Sequence, residues 1–444
     1  MKITKKALIL LCALTLPVSI MTGCGEADGS AETNSAHSKG ASEDRAPTAE
    51  MPTEDAAPSE EATPTPDAET AEDSAVDMDD TADTKMEEPT GSEGGSDSGS
   101  VGNAEALILT AGEWNDNENW GFFSNLVNNN QIEFPSYGLN PLGRIAVTLT
   151  MDGSPAQNQT VMLLGENGEE LWRTISDRDG KAYLFFDPDA EIKTQYVQVE
   201  GNPETYELSI QKPVDDQSGS HYVSQEEIAL AVNTPSTTFD QTEVMFILDT
   251  TGSMSDEIAY LQKDFAAIVA DTAAPNVSYS INFYRDEGDD YVTKCNPFST
   301  DYTEVQNLLN REYADGGGDT PEAVAQILEA TLEQAQWSQN SNKIAFLIFD
   351  APPHDNTNDM IVQSVKAAAA KGIHLVPVVA SNAQRETELF GRALAILTNS
   401  NYVFLTDDSG VGNSHLEPII GSYDVELLHD IIVRNIAEIS GVTQ

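Results

Sequence analysis

The amino-acid sequence predicts an α/β protein: a doubly wound, mainly parallel sheet, joined to a small all-β sandwich and preceded by a disordered N-terminal stalk. Three observations carry this. From about residue 240 short apolar runs alternate with helical patterns; before them lie period-two strands separated by turn dipeptides; and residues 25–103 hold no aromatic side chain. Alternation of the first kind builds a parallel sheet covered on both faces. A chain of 444 residues is long enough for two or three such units.

The N-terminus reads as an export signal. Lys2, Lys5 and Lys6 precede an apolar stretch, residues 7–20, that is too short to span a bilayer as an ordinary helix. Met21-Thr22-Gly23-Cys24 then resembles a bacterial lipobox, in which small residues precede a cysteine that is diacylated and becomes the new N-terminus; Met21 stands where that pattern usually has Leu. The resemblance implies a signal peptide over 1–23, a lipidated Cys24, and an exported protein lipid-anchored at the cell membrane, on the extracellular face or in the periplasm. Two acyl chains suffice for stable anchoring. The alternative is a plain secretory signal with a chance cysteine. Residues 24–103 follow as an acidic linker of Glu, Asp, Ser, Thr, Ala, Pro and Gly, which cannot bury enough surface to fold. A coil of ~80 residues reaches about 50 Å.

The net charge of -52 argues against nucleic acid or an anionic membrane surface as the partner, leaving membrane contact to the lipid anchor. Cys12 and Cys24 lie in the targeting segment, so Cys295 stands alone and no disulfide framework or disulfide-linked partner is expected.

Residues 104–235 are expected to form the β-sandwich with an aromatic segment at its start. Trp114, Trp120, Phe122 and Phe123 form a cluster suited to a short helix or a pinned domain edge, core rather than ligand platform. Strands are read at Ile145, Val147 and Leu149, then at 161–164, 171–172, 182–186, 196–199 and 206–210, with turns at Asp152-Gly153, Asn167-Gly168 and Asp179-Gly180. The run from Ser176 to Ala182 resembles the transthyretin-like, carboxypeptidase-regulatory type of module, which implies a spacer or accessory surface without activity.

Residues 240–444 carry the α/β pattern. Strands are read at 244–248, 277–283, 344–349, 373–379 and 402–405, and helices at 256–270, 321–336, 360–371 and 424–439. Lys371-Gly372 is a helix stop that leads straight into a strand. The first strand ends in Asp249-Thr250-Thr251-Gly252-Ser253, a carboxylate and spaced hydroxyls suited to a hard cation at the carboxyl edge of the sheet, where open α/β folds place ligands. Downstream come Asp315-Gly316-Gly317-Gly318-Asp319-Thr320-Pro321-Glu322 and Phe349-Asp350-Ala351-Pro352-Pro353-His354.

Together these segments resemble a von Willebrand factor type A domain, a Rossmann-like fold, with its metal-ion-dependent adhesion site. The family's Asp-x-Ser/Thr-x-Ser motif falls on Asp249, Thr251 and Ser253, its downstream threonine on Thr320 and its last aspartate on Asp350. Thr251 in place of the commoner serine keeps the hydroxyl. The resemblance implies Mg2+ or Mn2+ held directly by Thr251 and Ser253, by Thr320 directly or through water, and by Asp249 and Asp350 mostly through water. Magnesium wants near-octahedral oxygen ligands, and a carboxylate from a partner protein would complete the set.

The remaining features have two readings each. Gly316–Gly318 lacks the Gly-Lys-Ser/Thr ending of a phosphate-binding loop. His354 is a rim residue or, with Asp350, part of a hydrolytic centre, although no nucleophile with an adjacent base stands out. Asp319 and Asp407 are further rim positions. The turn Asp286-Glu287-Gly288-Asp289-Asp290 is a second, Ca2+-like site or a solvated charged turn. The leading expectation is a non-enzymatic surface lipoprotein that grips an acidic residue of a protein partner. The alternatives are a subunit of an envelope assembly complex and a metal-dependent hydrolase.

Overall fold

A computed structural model describes residues 109–441, apart from 191–193, 211–221, 319 and 410–412. The signal segment, Cys24, the acidic linker and Asp319 lie outside the described residues.

Strand β1 (Thr110–Trp114) leads into helix α1 (Trp120–Asn128). Two four-stranded sheets follow. One joins β2 (Arg144–Met151), β3 (Ser154–Pro155), β6 (Lys181–Phe185) and β9 (Glu226–Ala231); the other runs β5-β4-β7-β8 over Glu170–Ile175, Thr160–Leu164, Gln195–Val199 and Thr205–Leu208. Their inward residues, Ile145, Val147 and Leu149 from one sheet and Val161, Leu163, Trp172 and Val197 from the other, belong to one buried cluster. Period-two alternation therefore lands where the sequence places it. Strand β9 was not anticipated; it pairs parallel to β2.

The α/β part is an eight-stranded sheet. After β10 (Gln241–Asp249) and α2 (Ser255–Thr272) come β11 (Val277–Tyr284), β12 (Thr293–Lys294), α3 (Tyr302–Leu309), α4 (Val324–Leu328), β13 (Ser341–Phe349), α5 (Asn358–Lys371), β14 (Ile373–Val379), α6 (Arg385–Leu397), β15 (Tyr402–Thr406), β16 (Glu426–Leu427) and α7 (Leu428–Ser440). The order across the sheet is β12-β11-β10-β13-β14-β15-β1-β16, with β11, β10, β13, β14 and β15 mutually parallel. The two faces of each central strand enter different cores. Val244, Phe246 and Leu248 meet α2, α3 and α7, while Met245 and Ile247 face the layer that holds α4, α5 and α6. This two-sided burial is why the strands read as continuous apolar runs. Gly372 closes α5 at φ 67, the left-handed cap expected of it.

Three expectations need correction. The segment assigned wholly to the sandwich, 104–235, contributes β1 to the α/β sheet, antiparallel to β15 with Thr110 opposite Thr406. The sheet accepts it because Gly112 leaves room for the Phe404 and Tyr423 rings; a Cβ there would lie 2.5 Å from Phe404. The helix expected from residue 321 begins at Val324, since Glu322 forms a parallel β-bridge with Pro353, its amide donating to the Pro352 carbonyl (3.0 Å), and it ends in a π-helical turn, Glu329–Gln334. The helix expected from 424 begins at Leu428, because Glu426 and Leu427 pair with the outer edge of β1.

The N-terminal segment is clamped to α6 by charge. Arg392, fully buried, donates two hydrogen bonds of 2.8 Å to the Asp116 carboxylate, and Glu388 lies 3.3 Å away. Trp120 and Phe123 stack in the adjoining core. Breaking a buried ion pair strands a charge and costs about 3–5 kcal/mol. Because Glu388 stays beside Arg392, Asp116→Ala should fall near the low end, about 3 kcal/mol, in equilibrium urea unfolding. A wild-type midpoint in that variant would show the clamp to be dispensable.

Candidate metal centre

Strand order reverses at β10. Its helix crosses to β11 on one side, and the chain returns to β13 on the other, so the carboxyl ends of β10 and β13 flank a crevice. Asp249 is the last residue of β10, and Asp350 directly follows β13. Two carboxylates thus stand at neighbouring strand ends for topological reasons alone.

The loop after β10 folds around Asp249. Its Oδ1 accepts from the Thr251 amide at 2.9 Å and the Thr251 hydroxyl at 2.7 Å, and Ser253 Oγ lies 3.4 Å from that hydroxyl. A glycine-rich loop closes the next side: the Asp315 amide donates to the Thr250 carbonyl and the Gly252 amide to the Gly316 carbonyl. Gly317 has φ 72, and a Cβ on it would meet Thr251 Cβ at 3.1 Å and Glu322 Oε1 at 2.9 Å. Only glycine fits so close an approach. Thr251, Ser253, Thr320 and Asp350 line one cleft of about 340 Å3 together with Glu322, Asn382 and Gln384. Asp249 sits fully buried behind Thr251.

Burial here is electrostatically costly. Asp249 Oδ2, Asp350 Oδ1 and Glu322 Oε2 are buried with no hydrogen-bond partner. Burial, then the Asp350 charge, pushes the Asp249 carboxyl up to about 7 against the hydrogen bonds from Thr251. The buried Tyr284 hydroxyl opposes that rise too, although it makes no hydrogen bond of normal geometry. Asp350 rises to about 6, chiefly through burial and with Glu257 adding to it, while Ser253 pulls the other way. Glu322 rises to about 9 through burial and the charges of Asp249, Asp286, Asp350 and Asp289. Such oxygens suit a cation, which supplies the missing compensation. Among the described residues no three His, Cys, Asp or Glu side chains are placed to hold a metal by themselves, so a centre here depends on its hydroxyls. The donor set, hydroxyl and carboxylate oxygen, is that of a hard divalent cation.

The other singled-out residues fall elsewhere. His354 does not line the cleft; its Nε2 lies 2.7 Å from Asp286 Oδ1. Asp407 is exposed, and hydrogen bonds from the His415 amide and ring hold its carboxyl below the usual range. The turn at 286–290 is engaged by the protein rather than arranged as a Ca2+ cage: Asp289 Oδ2 accepts from the Asp286 and Gly317 amides, and Glu287 accepts from Gln326. Glu322 is the residue that sequence reasoning passed over. A helix starting at Pro321 explains an acidic residue in its first turn, whereas the later start at Val324 frees that carboxylate to face the cleft. Gly317→Ala should cost about 1–2 kcal/mol from backbone handedness and weaken Mn2+ binding. Denaturant unfolding and a metal titration check both, and an unperturbed variant would mean that the loop tolerates a side chain there.

Residues 243–414 match the family model described as von Willebrand factor A domain. The chain is 30% identical over 118 residues to an ariadne-like RING finger protein of Acanthamoeba polyphaga mimivirus, covering 26% of this chain and 12% of that relative's length. The crystal structure of the conserved hypothetical protein BatB from Bacteroides thetaiotaomicron is similar at 15% identity and a TM-score of 0.26, covering 45% of this chain and 87% of BatB. The family match takes in all five residues of the candidate centre and leaves out β1 and the sandwich. Residues 243–414 are therefore similar to the von Willebrand factor A domain.

Proposed function

We propose that this protein is a surface or envelope-anchored lipoprotein that holds a protein partner through a divalent metal at the cleft between β10 and β13. The observation that carries the reading is the pair of unpartnered buried oxygens, Asp249 Oδ2 and Asp350 Oδ1, beside the hydroxyls of Thr251, Ser253 and Thr320. Thr251, Ser253 and Thr320 would hold Mg2+ or Mn2+, with Asp249 and Asp350 balancing its charge. Bound there, the ion supplies an electrophilic point that a partner's carboxylate can meet. Asp249 orients Thr251 through two hydrogen bonds, and the glycine loop brings Thr320 to the same side. Cys24 would carry the lipid anchor, the acidic linker the reach, and the sandwich would serve as spacer or accessory surface.

Calorimetric titration with Mg2+ or Mn2+ should show one site, weakened at least tenfold in Asp249→Ala; a wild-type chain that binds neither metal refutes the proposal. Proton linkage gives a second test. The carboxyls of Asp249, Asp350 and Glu322 have folded pKa values of about 7, about 6 and about 9, above the ~3.9–4.3 of an unfolded chain. The metal-free folded state then binds more protons than the unfolded state, so its stability falls as pH rises from about 4, through the folded pKa values, to about 9. Saturating Mg2+ should reduce or abolish that fall and gain affinity over the same window. Thermal melts at several pH values, with and without Mg2+, read both, and identical pH profiles would contradict the linkage.

A further inference from the structure

A second cavity, of about 160 Å3, lies at the opposite edge of the α/β sheet from the metal centre, where the sandwich meets the sheet. Its walls are the turn between β5 and β6, the amino ends of β13 and β14, the approach to β15 and the last turn of α7. That turn belongs to the run from Ser176 to Ala182 singled out in the sequence. The charges here are sorted by depth. Four carboxylates line the cavity. Asp177 is spent, its Oδ1 accepting from the Asp179 and Lys181 amides and its Oδ2 from Asn399. Glu118 pairs with Lys181 at 3.2 Å. Asp179 and Glu438 are exposed, which puts them at the mouth, where Arg178 donates to the Glu438 carbonyl.

The floor is basic. Lys343 is only 3% exposed, and its ammonium makes one hydrogen bond, to the Ser341 carbonyl at 3.0 Å. Lys371 makes two, to the Leu332 and Glu333 carbonyls. Neither forms an ion pair among the described residues. Glu243, whose field reaches Lys343, accepts from Ser338 and Ser341 instead. A lysine carries three donors, so two N–H groups on Lys343 and one on Lys371 are left over. His374 Nδ1 lies 2.6 Å from the Asn399 carbonyl, which only accepts, so Nδ1 carries a proton. Burial lowers the ring's pKa, Asn399 and Asp177 opposing and Lys343 assisting, which leaves Nε2 a bare acceptor at neutral pH. Lys371 in turn lowers the Lys343 pKa, behind burial and against Glu243, so the three groups act on one another.

We propose that this cavity binds inorganic phosphate as the hydrogen phosphate dianion. Two ammonium groups answer its two charges, their three spare N–H groups meet its three bare oxygens, and His374 Nε2 accepts from its one P–OH. Charge-assisted bonds of this kind are the strong ones, and a buried charge is tolerated only when so paired. Sulfate brings the charge without a proton to give; the dianion of a phosphate monoester lacks the proton and adds an organic group. The acidity of the chain at large is screened beyond about a Debye length, ~8 Å at physiological salt, whereas the lysines line the cavity itself. Since the walls belong to both sandwich and sheet, the bound ion ties the two together.

The test uses the full chain freed of metal by chelator and desalting, so that the metal centre takes up no phosphate. Calorimetry is run at about pH 8, where His374 is neutral and phosphate is mainly the dianion. Sodium phosphate should show one site, with sodium sulfate and glycerol 2-phosphate at equal ionic strength roughly fivefold or more weaker. Lys343→Met removes two of the donors at similar side-chain length and should weaken phosphate at least about tenfold. His374→Phe should bring phosphate down to the level of sulfate and leave sulfate unchanged. A wild-type chain that binds no phosphate overturns the proposal, as does equal affinity for sulfate or a folded Lys343→Met variant with wild-type affinity. The comparison of anions needs only the wild-type chain, so it decides the matter even where a variant fails to fold.

Discussion

Two buried carboxylates at the ends of adjacent parallel strands are the constraint around which the α/β part is organised. Asp249 and Asp350 are brought together by strand order, and among the described residues neither pairs with a Lys or Arg. A fold retains such a repulsive pair only where something else compensates. Partial compensation is visible: Thr251 gives Asp249 two hydrogen bonds, and the raised pKa values let protons share the load. The glycine loop, the left-handed Gly317 and the late start of α4 all follow from bringing polar oxygens close to that pair without filling the space between them.

Elsewhere the molecule handles buried charge in the opposite way. Arg392 is surrounded by Asp116, Glu388 and the Ile419 carbonyl, so its guanidinium is satisfied on several sides. Arg144 stacks on Trp120 at 3.9 Å and donates to the Asn117 carbonyl. His429 sits between Asp264 and Asp271 at 2.8 and 2.9 Å, and those carboxylates raise its pKa against the cost of burial. Arg392 and His429 are answered by carboxylates and Arg144 by a ring and a carbonyl, with its Nε left unbonded; among the described residues the crevice carboxylates have no cation. That contrast, more than burial itself, separates a site from a staple.

Much of this was legible in the sequence because its causes are local. Continuous apolar runs marked β10, β11, β13, β14 and β15 since both faces of each are covered, and Asp-x-Thr-x-Ser follows one of them directly. What escaped notice depended on distant partners. Strand β1 is five residues with a central glycine, and its neighbour Thr406 lies 296 positions away. Glu322 looked like a first-turn helix acid because nothing nearby in sequence shows that its amide is drawn to Pro352. The turn at 286–290 read as a solvated charged turn or a second cation site, because nothing local shows that the Gly317 amide donates to Asp289.

The pairing of β1 has a mechanical side. Antiparallel to β15, it starts at Thr110 opposite Thr406, so the chain enters the sheet at the same edge that carries Asp249 and Asp350. A pull between Leu109 and a weight held at that edge runs across the strands and reaches the Thr110 end of β1 first. That end is paired on both sides, with Thr406 of β15 and with Leu427 of β16. Entry through an interior strand therefore means that the first residue to be drawn out must break with two neighbours at once.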